Sequence, residues 1–166
     1  MFRWLFEKDP ASLEKMELMY LPFYLFEVSV ERAVKEKKAS DSRRQNVILS
    51  VDGLLGHAVL FAERALEIER NPEKAAPVCD FAISLSDAAE IALDQYKGTL
   101  LEHGLRTRSY SHAKEISEGR EIYYPFWIGY LKKKKGYDFK ALDAVSGEIQ
   151  GVRMRRVFIK ALKSLK

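Results

Sequence analysis

The chain has 166 residues, 47% apolar and 31% charged. That suits a folded protein able to bury a core without disulfides or metal, and it excludes a disordered tail or a fibrous repeat. The formal net charge of +4 averages two unlike parts: residues 120–166 hold 12 basic and 4 acidic residues, a net of +8, against 16 and 20 in residues 1–119, a net of −4.

In chain order, the start Met1 to Asp9 is too short in its apolar part for a signal peptide. Asp9-Pro10 predicts the cap and first residue of a short N-terminal helix. A strand is expected over 18–30, where Tyr20-Leu-Pro-Phe-Tyr-Leu-Phe-Glu-Val28 is apolar on both alternating faces and so needs cover on both sides. A polar stretch, Glu31 to Gln45, leads to a second strand over Val47 to Asp52 and a turn at Asp52-Gly53. Ala58, Phe61, Ala62, Ala65 and Leu66 then fall at the spacing of a helix face. Asn71 to Pro77 is a linker bounded by prolines, and Cys79 sits in an apolar, strand-like run where a buried inert thiol is expected. Asp87 with Glu90 marks a capping box for a central helix that Gly104 can stop, with Ala88, Ile91, Ala92, Gln95, Tyr96 and Leu100 as its buried stripe. Gly98 inside that helix suggests close packing, and Leu105 to Gly119 reads as a loop.

The last third resembles the first. Tyr123-Tyr-Pro-Phe-Trp-Ile-Gly-Tyr-Leu131 matches the strand at Tyr20, with Pro22 and Pro125 at the same place, where a strand start, bulge or edge is required. Phe139 to Gly147 matches Val47 to Gly53, the first copy carrying a connection 9 residues longer. Met154, Val157, Phe158, Ala161 and Leu162 match the helical set at Ala58. The expected fold is therefore α+β: two diverged ββα units, an internal duplication, with an antiparallel sheet and a central connecting helix. The expected divisions are 1–72 for the N-terminal unit, 73–119 for the linker and central helix, and 120–166 for the C-terminal unit, together making one compact domain.

The sequence assigns no catalytic, cofactor-binding or metal-binding residue, and it leaves the question of an enzyme without a motif. His57, His103 and His112 lack the spacing of a helical zinc site. Glycine-rich phosphate loops are absent. Asp143 has Leu49 as its counterpart in this alignment, so no symmetric acid pair is expected. The features left are cationic and aromatic. Lys132, Lys133, Lys134 and Lys135 form a run, and Arg153, Arg155, Arg156, Lys160, Lys163 and Lys166 lie on a basic amphipathic helix. The lysine run with Arg153, Arg155 and Arg156 makes candidate contacts for an anionic partner. Tyr123, Trp127 and Tyr130 are the candidate interaction surface, with stacking on single-stranded nucleic acid as one use.

Tyr123 to Leu131 together with Asp143-Ala-Val-Ser-Gly147 resembles a hairpin found in many prokaryotic proteins. It is similar to the PepSY type of module, in which a helix precedes a hairpin whose last strand ends in Asp-Ala-x-x-Gly. The likeness covers about residues 87–151, with a degenerate copy over 17–56. It implies a small non-catalytic domain that binds or restrains a partner. The functional expectation is a cytoplasmic, non-catalytic protein-interaction or ligand-binding module without cofactor. Its candidate partners are proteins, a second copy in a homodimer included. The alternative is nucleic-acid binding through the basic C-terminal unit.

Overall fold

A computed structural model of the chain describes residues 13–32, 43–61, 76–107, 111–134 and 136–165. The described residues form six strands and two helices: β1 (Leu13–Arg32), β2 (Arg43–Asp52), β3 (Ala58–Phe61), α1 (Leu85–Thr107), β4 (Ser111–Ile116), β5 (Arg120–Lys133), β6 (Gly136–Asp143) and α2 (Val152–Ser164). The architecture is α+β with antiparallel strand ladders. The chain divides into two compact units interleaved in sequence: one of residues 1–22, 69–80 and 123–166, the other of 23–68 and 81–122.

In the second unit, the C-terminal half of β1 pairs with β2 from Phe23↔Asp52 to Arg32↔Arg43, and with β4 on its other edge. A short β3 extends β2. Tyr24, Phe26, Val28, Leu49 and Val51 share the sheet face on which α1 packs, and Ala88, Ala92 and Tyr96 are the helix residues buried there. The small side chains of Ala88 and Ala92 allow a close approach of helix to sheet. The opposite face is also closed at Phe23, Leu25 and Ser50, all buried, as the two-faced apolar pattern requires. At the start of α1, Ser84 Oγ accepts the Asp87 N–H at 3.1 Å and donates to the Asp87 carboxylate at 2.7 Å. The cap is thus Ser84, with Asp87 at the third helical position, rather than Asp87 itself.

In the first unit, β5 lies next to the N-terminal half of β1 and pairs with β6 from Phe126↔Asp143 to Lys133↔Gly136. On the other edge of β1, Tyr20 makes a parallel bridge to Val78. Helix α2 buries Val157, Phe158 and Ala161. The Phe158 ring meets Phe126 edge-on at 5.0 Å and Phe139 at 6.3 Å, which fixes the sheet face that α2 covers.

Several expectations are corrected by this geometry. Ala58 to Phe61 is a strand, not a helix; four residues at helical spacing are equally compatible with a hairpin arm, and pairing with Ile48 to Val51 decides it. Residues 62–66 and the Asp9-Pro10 start of the expected N-terminal helix lie outside the described residues. Gly104 does not stop α1, which continues to Thr107, and β4 occupies part of the expected loop after it. Gly98 is exposed, and among the described residues a methyl group there would meet no atom within 4 Å beyond its own helix backbone. The close approach is instead at Gly119, where a Cβ would lie 2.4 Å from the Phe26 ring and 2.6 Å from Leu85. Pro22 and Pro125 each stand one residue before their hairpin ladder begins, at Phe23 and Phe126. Their missing N–H groups fall where that ladder has not started.

Candidate functional site

The lysine run sits at the end of β5 and in the turn to β6. Lys132 and Lys133 are the last strand residues and Lys134 is in the turn, all exposed; Lys135 lies outside the described residues. Two of these cations have carboxylate partners. Lys132 reaches Glu14 of β1 at 3.3 Å, and Lys133 pairs with Asp138 of β6. Asp138 is shared. From α2, the Arg155 guanidinium also donates to its carboxylate and to the Phe139 carbonyl (3.1 Å), with its central carbon 4.5 Å from the centre of the Phe139 ring. Lys133 first, then Arg155, hold the Asp138 carboxyl well below the usual carboxylate range. Within the candidate set, Lys132, Lys133 and Arg155 are thus engaged in fastening their own unit.

Helix α2 carries the remaining cations differently. At 100° per residue, Arg153, Arg156, Lys160 and Lys163 fall within an arc of about 80° and span about 15 Å along the axis. All four are exposed. Arg155 lies outside this arc, toward Asp138. The helix has no acidic residue, and Arg153, Arg156 and Lys163 form no ion pair among the described residues. Val157, Phe158 and Ala161, each fully buried, commit the apolar face of α2 to the core. Lys166 lies outside the described residues.

The aromatic candidates do not join this stripe. Along β5, Tyr124, Phe126 and Ile128 face α2, while Tyr123 and Trp127 alternate to the other face. Tyr123 is 38% exposed and Trp127 is half-buried. Tyr130 lies on the α2 side, where its hydroxyl donates to Glu17 and Lys15 approaches its ring at 5.9 Å. Burial, then the Glu17 carboxylate, push the Tyr130 phenol above its ordinary range. Tyr123 and Trp127 therefore fall on the other side of the strand pair from the α2 stripe, while Tyr130 shares the α2 side with its hydroxyl committed to Glu17.

The groups suited to acid–base chemistry are used in turns. Asp52, fully buried, accepts from the N–H groups of Leu54 (3.1 Å), Leu55 (2.7 Å) and His57 (2.6 Å), and its second oxygen lies 3.0 Å from His57 Nδ1. Asp143 does the same at its own turn: it accepts from Val145 (2.8 Å), Ser146 (2.9 Å) and the Tyr124 hydroxyl (3.0 Å). The backbone repeats too. Gly56 N–H donates to Asp52 and Gly147 N–H to Asp143, with φ of 76° and 75°. Asp52 N–H donates to His57 and Asp143 N–H to Glu148. Val51↔Ala58 and Leu142↔Ile149 close the two hairpins. In turn geometry Asp143 thus stands as Asp52 does and Gly147 as Gly56 does, whereas the expected alignment set Asp143 against Leu49 and Gly147 against Gly53. Sequence reasoning missed this, although the shared Asp-x-x-x-Gly spacing carries the signal. Burial first, then Asp143, push the Tyr124 phenol far above its usual range, so Tyr124 is a donor and not a base. Cys79 is buried and free, and burial pushes its thiol up. Among the described residues, no three His, Cys, Asp or Glu side chains come together as a metal site, and no helix is long and apolar enough to cross a membrane. No protein-family model, curated protein or solved structure matches the chain.

Proposed function

We propose that the chain is a non-catalytic binding module, built from two diverged copies of one hairpin unit, that docks an anionic partner on the outer face of α2. The observation that carries this reading is the division of labour within α2. Val157, Phe158 and Ala161 are buried, Arg155 fastens β6, and Arg153, Arg156, Lys160 and Lys163 lie exposed along one arc that holds no acidic residue. A stripe of like charge destabilises its own helix through repulsion between neighbours three and four residues apart. A binding role accounts for a stripe that folding alone does not favour. The non-catalytic part of the reading is supported by Asp52, Asp143, Tyr124 and Cys79, each engaged or buried in the fold. Duplication is supported by the paired turn geometry, a constant 91 residues apart from Val51 and Leu142 to Ala58 and Ile149. The PepSY likeness, carried by Asp143 to Gly147, points the same way.

The test is retention on immobilised heparin and immobilised poly-L-glutamate at low salt. The native chain is expected to bind at least one of them, and a variant with R153E, R156E and K163E to flow through with an unchanged far-UV circular dichroism spectrum. Equal elution of native and variant chains from both matrices refutes the reading.

A further inference from the structure

We propose, on the basis of that anion-binding reading, that the partner of the α2 face is the phosphodiester backbone of a nucleic-acid duplex, bound without sequence preference. Three observations select this occupant. The stripe holds four cations over about 15 Å and no aromatic side chain, so it makes backbone contacts and offers bases nothing on which to stack. Tyr123, exposed, and Trp127, half-buried, face the other side of the strand pair from α2. A polyanion whose bases are already stacked inside a duplex needs no such platform.

Protein interfaces draw their energy from a central, desolvated apolar or aromatic anchor surrounded by a polar rim. The arc from Arg153 to Lys163 has cations where that anchor would be, with Val152 and Ile159 only at its margin. An anionic membrane is disfavoured by the other side of the helix. Surface-bound amphipathic helices bury their apolar face among the lipid chains, and in α2 Val157, Phe158 and Ala161 are fully buried in the protein. A cation stripe with only Val152 and Ile159 exposed at its margin fits a rigid phosphate lattice best.

The expected signature is quantitative. Three phosphate contacts, from Arg153, Arg156 and Lys163, give a slope of about −2.7 for log affinity against log salt on B-form DNA, so affinity falls about 40-fold between 50 and 200 mM salt. Replacing these three by Gln removes those contacts and brings the slope to about −1 or flatter over the same range. Arg155→Gln, outside the arc, should change duplex affinity less than twofold.

The experiment measures binding of the full chain to a 20-base-pair DNA duplex, a 20-base-pair RNA duplex, oligo-dT, poly-L-glutamate and phosphatidylserine vesicles across that salt range. Binding to a duplex with the steep slope, lost in the triple Gln variant and kept in Arg155→Gln, supports the proposal. Tighter binding to oligo-dT, poly-L-glutamate or vesicles than to either duplex overturns it while leaving the anion-binding reading in place. No binding to any of the five overturns both.

Discussion

Asp52→Ala is expected to destabilise the protein far more than Asp143→Ala, although the two carboxylates organise the same kind of turn. Asp52 is completely buried, and truncation leaves the N–H groups of Leu54, Leu55 and His57 without their acceptor. Leu54 is 3% exposed, so its N–H cannot turn to water; an orphaned buried donor costs about 1–3 kcal/mol. The Leu55 and His57 donors are half-open to solvent and lose about 0.5–1.5 kcal/mol each. The sum is about 2–6 kcal/mol, a large part of the 5–15 kcal/mol that holds a typical domain together. Asp143 serves Val145, which is 47% exposed, and exposed Ser146. Water replaces its carboxylate there, and the remaining loss is the Tyr124 hydroxyl contact, for a total of about 1–2 kcal/mol. Urea unfolding followed by far-UV circular dichroism at pH 7 measures both. With a urea slope of about 2 kcal/mol per molar, Asp52→Ala should lower the midpoint by about 2 M and Asp143→Ala by less than 1 M, each with an unchanged slope. A midpoint for Asp52→Ala equal to or above that of Asp143→Ala would refute the account of the buried turn.

The glycines give an opposed pair: Gly98→Ala, in open helix surface, should raise stability by about 0.5–1 kcal/mol, while Gly119→Ala drives a methyl into buried Phe26 and should lower it by about 1–3 kcal/mol, both read from thermal or urea unfolding. Asp138 sets part of the acid response. Its folded pKa is depressed by Lys133 and Arg155, so its contribution is complete above the unfolded value of about 3.9 and is lost as pH falls below it. Asp138→Asn should therefore lose stability at pH 7 and show a flatter stability profile between about pH 4 and 2 than the native chain; parallel profiles would disprove the clamp.

The sequence pattern gave the large apolar elements and missed the small ones, for physical reasons. β5 and the centre of β1 announce themselves because both faces are apolar, and α2 because its apolar residues keep a helical period with cations on the far side. β4, Ser111 to Ile116, has no such pattern; it is a strand because the edge of β1 offers it a ladder at Val28 to Arg32. β3 is ambiguous by period and is fixed by pairing with β2. The candidate cations were visible, yet which of them are engaged was not, because Glu14 and Asp138 are partners that only the pairing of β5 with its neighbours brings near. The difference between the expected match of Gly53 to Gly147 and the shared turn geometry has a simple cause. Asp52-Gly53 looks like a two-residue turn, whereas the chain turns over five residues and needs its left-handed glycine at Gly56.

The two aspartate turns also suggest how the charge asymmetry became affordable to the fold. At the first turn the Gly53 carbonyl accepts the N–H groups of Ala82 and Ile83, and Gly56 packs under Ile83 and Ile91. That turn is sealed by the chain entering α1, and Leu54 is buried in consequence. At the second turn α2 begins five residues after Gly147, and Val145, Ile149 and Val152 stay exposed at 47%, 48% and 82%. α1 thus has Ala88, Ala92 and Tyr96 buried along three turns, with Ile91 and Leu100 packed beside them. α2 buries only Val157, Phe158 and Ala161 and needs the Arg155–Asp138 clamp at its edge. A helix held by one narrow apolar stripe and one clamp leaves most of its circumference free of packing constraints. That freedom is the physical condition under which α2 carries Arg153, Arg156, Lys160 and Lys163 without disturbing its core.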